Sequence, residues 1–169
     1  MTDIHEGVPL GGGGTSQEPV VDRALEHLAD IVNHLIRRET AAAAAVGSAR
    51  ERLEGDDHAA LLRAIEVAHG VRVETLARLV YSLGGEPADR GGLRSLLDRA
   101  RVLLGARHGD SGILEALGEI EGEIADQYRA SIEVVGFSDE ECAVLTTGLA
   151  DAEAASAALV RSAALSLPH

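Results

Sequence analysis

Three glutamates stand where a helix would bury an apolar side chain. Glu39 follows Val21, Leu25, Leu28, Val32 and Leu35 and precedes Ala42, Val46, Ala49 and Leu53. Glu121 lies among Leu114, Leu117, Ile124 and Tyr128, and Glu153 among Leu145, Leu149, Ala152, Ser156 and Leu159. These apolar residues recur every three or four positions, the period of one helix face. A carboxylate on such a face must be paired, protonated or bound to a metal, because an isolated buried charge is too costly. A further segment carries Glu66-Val-Ala-His69, whose spacing puts an acid and an imidazole on one face. Carboxylates are hard anionic donors that can bridge two cations, and imidazole suits iron and other divalent transition metals. Glu39, Glu66, His69, Glu121 and Glu153 are therefore the candidate metal ligands.

Those residues need helices to carry them, and the chain supplies four. Apolar periodicity and stop signals predict helices over about 19–54, 57–83, 110–135 and 139–162. Pro19 suits a first turn, Gly55, Gly84-Gly85 and Gly136 mark ends, and Ser138-Asp-Glu-Glu141 has the spacing of a capping box. The first and second helices share a very short turn, as do the third and fourth, so each pair is an antiparallel hairpin. Between the pairs, Gly85 to Gly109 form a long crossover. Leu93, Leu96, Leu97, Ala100, Leu103 and Leu104 predict a short amphipathic helix there, over about 93–104. Residues 1–18, with four consecutive glycines at 11–14, read as a flexible arm, 19–164 as the bundle, and 165–169 as a tail.

Helix rise allows a check of depth. Glu121 and Glu153 each lie about 16 residues from the turn near Phe137, so they are level across their hairpin. Glu39 lies about as far from Gly55, and its level partner on the second helix is Arg72, with His69 about 4.5 Å away along the axis. A Glu39–Arg72 ion pair is thus the alternative to metal for this acid.

Composition removes several functions. The net charge is −13 and every strong base is Arg, which argues against nucleic acid and anionic membranes as partners. Aromatic residues make up only 2%, too few for a base-stacking platform. The single Cys142 cannot form an intramolecular disulfide. No basic region followed by an apolar run opens the chain, and no apolar segment approaches the ~20 residues that span a bilayer. The expectation is a cytoplasmic protein.

The chain resembles the ferritin-like superfamily over about residues 25–162, and is similar to an uncharacterised bacterial branch of four-helix-bundle proteins. Leu76-Ala-Arg-Leu-Val-Tyr-Ser-Leu-Gly-Gly-Glu-Pro87, Gly91-Gly92-Leu93 and Ile113-Leu114 with Glu121 and Tyr128 carry the resemblance. It implies an all-α, ferritin-like four-helix bundle of two antiparallel hairpins joined by a long crossover. It also implies iron or another divalent metal held by a degenerate di-metal carboxylate site, with weak oxidase or peroxidase activity if the protein is an enzyme. Ser156 stands where the family pattern calls for the second histidine. The competing expectation is a non-enzymatic, metal-free bundle acting in protein interaction or assembly. Dimers through the outer faces of the first two helices are expected by analogy, with Ala41–Ala45 as a surface for close approach.

Overall fold

The computed structural model describes residues 18–53, 58–89 and 109–166. Among them are four α-helices and no strand: α1 (Glu18–Arg50), α2 (Ala59–Ser82), α3 (Gly109–Ile132) and α4 (Asp139–Leu165). They form an all-α four-helix bundle. α1 packs along α2 and α3 along α4, while α1 also faces α3 and α2 more sparsely faces α4. Asn33, midway along α1, bonds to the segment that follows α2, while Arg50 at the end of α1 pairs with Glu66 within α2, so these two run antiparallel. Asp89 follows that segment, and Gly109 opens α3 at the opposite end of the bundle, where Ser111 donates to the Ala163 carbonyl.

The helices form for the reasons their periodicity suggested, with shifted ends. α1 stops at Arg50, where Arg52 N–H turns back to the Ala49 carbonyl at 2.9 Å. α2 closes on Gly84, whose φ of 78° is left-handed and suits glycine. Gly85 then bonds to the Val80 carbonyl and lies so close to α1 that an added Cβ would sit 2.9 Å from the Ala29 Cβ. α3 ends at Ile132, before the expected 135, because Val134 N–H tightens onto the Ser131 carbonyl. The capping box forms as expected: Glu141 N–H donates to Ser138 Oγ, and Ser138 N–H donates to the Glu141 carboxylate. α4 continues past 162 to Leu165 because Ala163 remains buried. The arm at 1–17, the stop at Gly55, the crossover helix at 93–104 and residues 167–169 lie outside the described residues.

The core has two apolar layers. One gathers Leu28, Val32, Leu35, Leu76, Val80, Ile124 and Leu145. The other gathers Val46, Ala49, Leu62, Ile65, Leu114, Leu117 and Leu159. Burying each large aliphatic side chain contributes about 1.5–3 kcal/mol, so these layers supply the bulk of the stability.

Two expectations change here. Ala41, Ala42 and Ala45 face the core rather than a partner, leaving Ala44 outermost. By length and composition α4 is apolar enough to cross a membrane, although in the bundle its Leu145, Ala152, Leu159 and Ala163 are buried. His58 is partly buried between Ser162 Oγ at 2.9 Å and Ser166 Oγ at 3.0 Å, which ties the start of α2 to the end of α4.

Asn33 provides the first test of how this frame is fixed. Its amide accepts from Ala88 N–H and donates to the Glu86 carbonyl at 3.0 Å, giving partners to two backbone groups of the irregular segment after α2. Asn33→Ala strands both backbone groups and should cost about 1–3 kcal/mol in urea unfolding. A change within experimental error would show that the amide does not anchor this segment.

Candidate functional site

Between the two apolar layers lies a plane of polar side chains, one or two from each of three helices. α1 supplies Glu39, α2 supplies His69 and Arg72, and α3 supplies Glu121 and Tyr128. Helix geometry explains the selection. Residues 69 and 72 are one turn apart on the inner face of α2, and 121 and 128 are two turns apart on that of α3. All five are buried, Glu39 and His69 to 0% exposure.

Glu39 is at the centre. Its Oε1 accepts from Arg72 Nε–H at 2.8 Å and from Tyr128 O–H at 2.8 Å. Its Oε2 lies 2.5 Å from His69 Nδ1. On the other side of the imidazole, Nε2 lies 2.7 Å from Glu121 Oε1. That second approach is an ion-pair distance without hydrogen-bond alignment, so both Glu121 oxygens lack a directed donor. Arg72 Nη2 lies 3.5 Å from Glu121 Oε2.

His69 Nδ1 also has Arg72 Nη2 at 2.8 Å, and one ring nitrogen cannot serve both neighbours. Charge balance assigns its proton. With His69 protonated, two carboxylates face two cations and the plane is neutral. With His69 neutral, the apolar core would hold a net negative charge, which is costly. The Nδ1 proton therefore belongs to Glu39, and Arg72 Nη2 is a close cation held by the shared acids. Burial alone opposes a charged imidazole, yet its contacts with Glu121 and Glu39 prevail and raise its pKa from 6.5 to about 9. Burial likewise opposes the Glu39 carboxylate, but His69 and Arg72 hold it below its usual range. Burial and the adjacent Glu39 push the Tyr128 phenol up, so it remains a donor.

No protein-family model matches the chain, and no curated protein matches it.

The structure gathers three of the five predicted ligands. Glu39, His69 and Glu121 meet at one depth. Glu66 is half-buried and pairs with Arg50 at 2.8 Å. Glu153 is exposed and pairs with Arg129 at 2.7 Å, so the inward residue of that turn is Ala152 and the seam placement of Glu153 is corrected. Ser156 Oγ donates to the Gly118 carbonyl at 3.0 Å, joining α4 to α3. Among the described residues, no three or more His, Cys, Asp or Glu side chains are arranged to hold a metal ion. A guanidinium against both acids also occupies the charge that a metal would compensate. The donor set does not fit a two-metal centre. By periodicity alone, Tyr128 is an apolar seam residue of α3. The signal was available, since it lies two turns from Glu121 on one face and a buried phenol needs a partner.

Gly148 makes room for this tyrosine: a Cβ there would sit 2.5 Å from the Tyr128 ring. Gly148→Ala should therefore destabilise by about 1–3 kcal/mol and weaken the Tyr128–Glu39 bond, read as a lower Tm and a shifted tyrosine absorbance. An unchanged Tm would show that the ring is not confined.

His69 gives a pH prediction. Its folded pKa is raised, so its contribution is complete below pH 6.5 and is lost as pH rises through about 9. That contribution is on the order of 3 kcal/mol. The Glu39 contribution has the opposite sign: it is complete above pH 4.5 and is lost as pH falls through the lower folded value. Urea unfolding should show an alkaline decline in the wild type that is absent in His69→Gln. Parallel declines in the two proteins would refute the charged imidazole.

Proposed function

We propose that this chain is a non-enzymatic, metal-free helical scaffold, ferritin-like in topology and cytoplasmic, that acts in protein interaction or assembly. The observation that carries this reading is Arg72. Its guanidinium engages Glu39 and lies against Glu121 within a plane that is neutral without any added ion. The network gives a bundle of otherwise uniform aliphatic seams a single register. Sliding a helix by one turn would move an acid or a cation into an apolar layer, and breaking such a buried pair costs about 3–5 kcal/mol. A bundle held in one register presents one constant outer surface, which suits a scaffold.

The rival reading is a bound iron or similar divalent metal held by Glu39, His69 and Glu121. It draws support from the two Glu121 oxygens without directed donors. Anaerobic titration with Co(II) separates the two. The expected result is no saturable d–d absorption and no specific rise in Tm. Saturable bands lost in Glu39→Gln, with a Tm that climbs with Co(II) by mass action, would establish the metal reading instead.

A second measurement tests the register role directly. Glu39→Leu, His69→Leu, Arg72→Met and Glu121→Leu combined should retain or raise thermal stability, since replacing a whole buried ionic set by apolar groups is often neutral or stabilising by ~1–4 kcal/mol. The methyl NMR spectrum should broaden or double as helices sample alternative registers. A single sharp set of methyl signals would show that the network does not select the register.

A further inference from the structure

α4 keeps little of its apolar composition inside the bundle: only 22% of its most apolar stretch is buried. The side turned away from the core carries Ala143, Ala150, Ala154, Ala157 and Ala164, all exposed. Their spacings of seven, four, three and seven residues keep them on one helix face. Val160, 53% exposed, flanks that line, and Leu165, 85% exposed, ends it. In a chain of net charge −13, a contiguous apolar face marks a surface that another surface covers.

Two charges on this face say what covers it. Glu153 and Arg161 lie four residues before and four residues after Ala157. Helix rise sets each about 6 Å from Ala157 along the axis. When a second α4 runs the opposite way, with the two-fold axis beside Ala157, Glu153 of each copy comes level with Arg161 of the other. Arg161 is the group in need: it is exposed and, among the described residues, has no ion pair or hydrogen bond. Glu153 is held by Arg129, which also holds Asp126. The second copy's Arg161 extends that row to Asp126, Arg129, Glu153, Arg161, with the signs alternating throughout.

The alternatives fit less well. A parallel pairing sets Glu153 against Glu153 and Arg161 against Arg161, and like charges face to face are unfavourable. A lipid surface would cover both residues without bringing either a partner. At the centre of the antiparallel arrangement, alanine side chains let the helix axes approach to about 8 Å.

We propose that the outer face of α4 is a self-association surface, on which a second copy of this chain docks antiparallel about Ala157 and pairs its Arg161 with Glu153. The proposal rests on the assembly role inferred above and names its partner. The face is one helix wide, below the ~1,600 Å² of a standard interface, so the dimer is weak and its population rises with concentration.

Sedimentation velocity of the full chain, over a wide range of concentration at physiological ionic strength, is the test. The expected result for the wild type is a shift from the mass of one chain toward that of two. Arg161→Glu and Glu153→Arg each set like charges across the axis and should weaken self-association at least tenfold. Mixed together, these two variants restore both cross-pairs and should associate with each other as the wild type does with itself. Both positions are exposed, so neither variant disturbs the core. Three outcomes would overturn the proposal: a single-chain mass at every concentration, single variants that dimerise as tightly as the wild type, or a mixture that pairs no better than its components. Co-sedimentation with phosphatidylcholine vesicles, abolished by Ala157→Arg, would give the face to lipid and overturn it as well. The Co(II) titration judges the scaffold reading separately: a single-chain mass without Co(II) bands overturns only the self-pairing.

Discussion

A carboxylate sealed inside an aliphatic bundle sets the terms for everything around it. Glu39 is fully buried and has no water to solvate it. The fold must therefore bring donors to both of its oxygens, and they come from two other helices: Arg72 and His69 from α2, and Tyr128 from α3. Glu121 follows as the second acid that makes two cations tolerable. Each member is affordable only because the others are present, which is why the plane behaves as one unit rather than as a set of separate pairs.

The division of labour in the core follows from magnitudes. Apolar burial is non-directional and scales with area, so the layers on either side of the plane supply stability but tolerate several alignments. Hydrogen bonds and ion pairs between buried groups add little net stability but punish misalignment heavily. The polar plane therefore converts a stable bundle into a specified one. Local devices act in the same direction: the Ser138–Glu141 capping box fixes where α4 begins, and Asn33 holds the segment that follows α2 against α1.

Much of this was legible in the sequence because helices report themselves through periodicity. The seam of α1 was readable from Leu28 to Ala49 and that of α3 from Leu114 to Tyr128, including Glu39 and Glu121, whereas Val21 and Leu25 at the start of α1 are exposed; the rise per residue placed Arg72 level with Glu39. The fourth seam misled at Glu153. Ala152 and Glu153 are adjacent, and in an alanine-rich helix the periodic signal cannot distinguish which of two neighbours points inward. Glu66 failed for a related reason, since it stands at the border of the α2 stripe and Arg50 of α1 is within reach to draw it outward. The link from Tyr128 to Glu39 joins residues far apart in the chain, and only packing reveals it. The sparse contact between α2 and α4 had no sequence signal, because it depends on how two hairpins meet.

The polar plane unites α1, α2 and α3 and receives nothing from α4. That helix is joined to the rest by apolar contacts, by Ser156 on the Gly118 carbonyl, by the two serines around His58, by the exposed Arg129–Glu153 pair, and by Gly148 beneath the Tyr128 ring. Detaching it would break no buried ion pair. It would, however, open both apolar layers, which hold Leu145 and Leu159, and uncover the Tyr128 ring beside Gly148, so the fourth helix is the cover that keeps the glutamate-centred plane dry without contributing a charge to it.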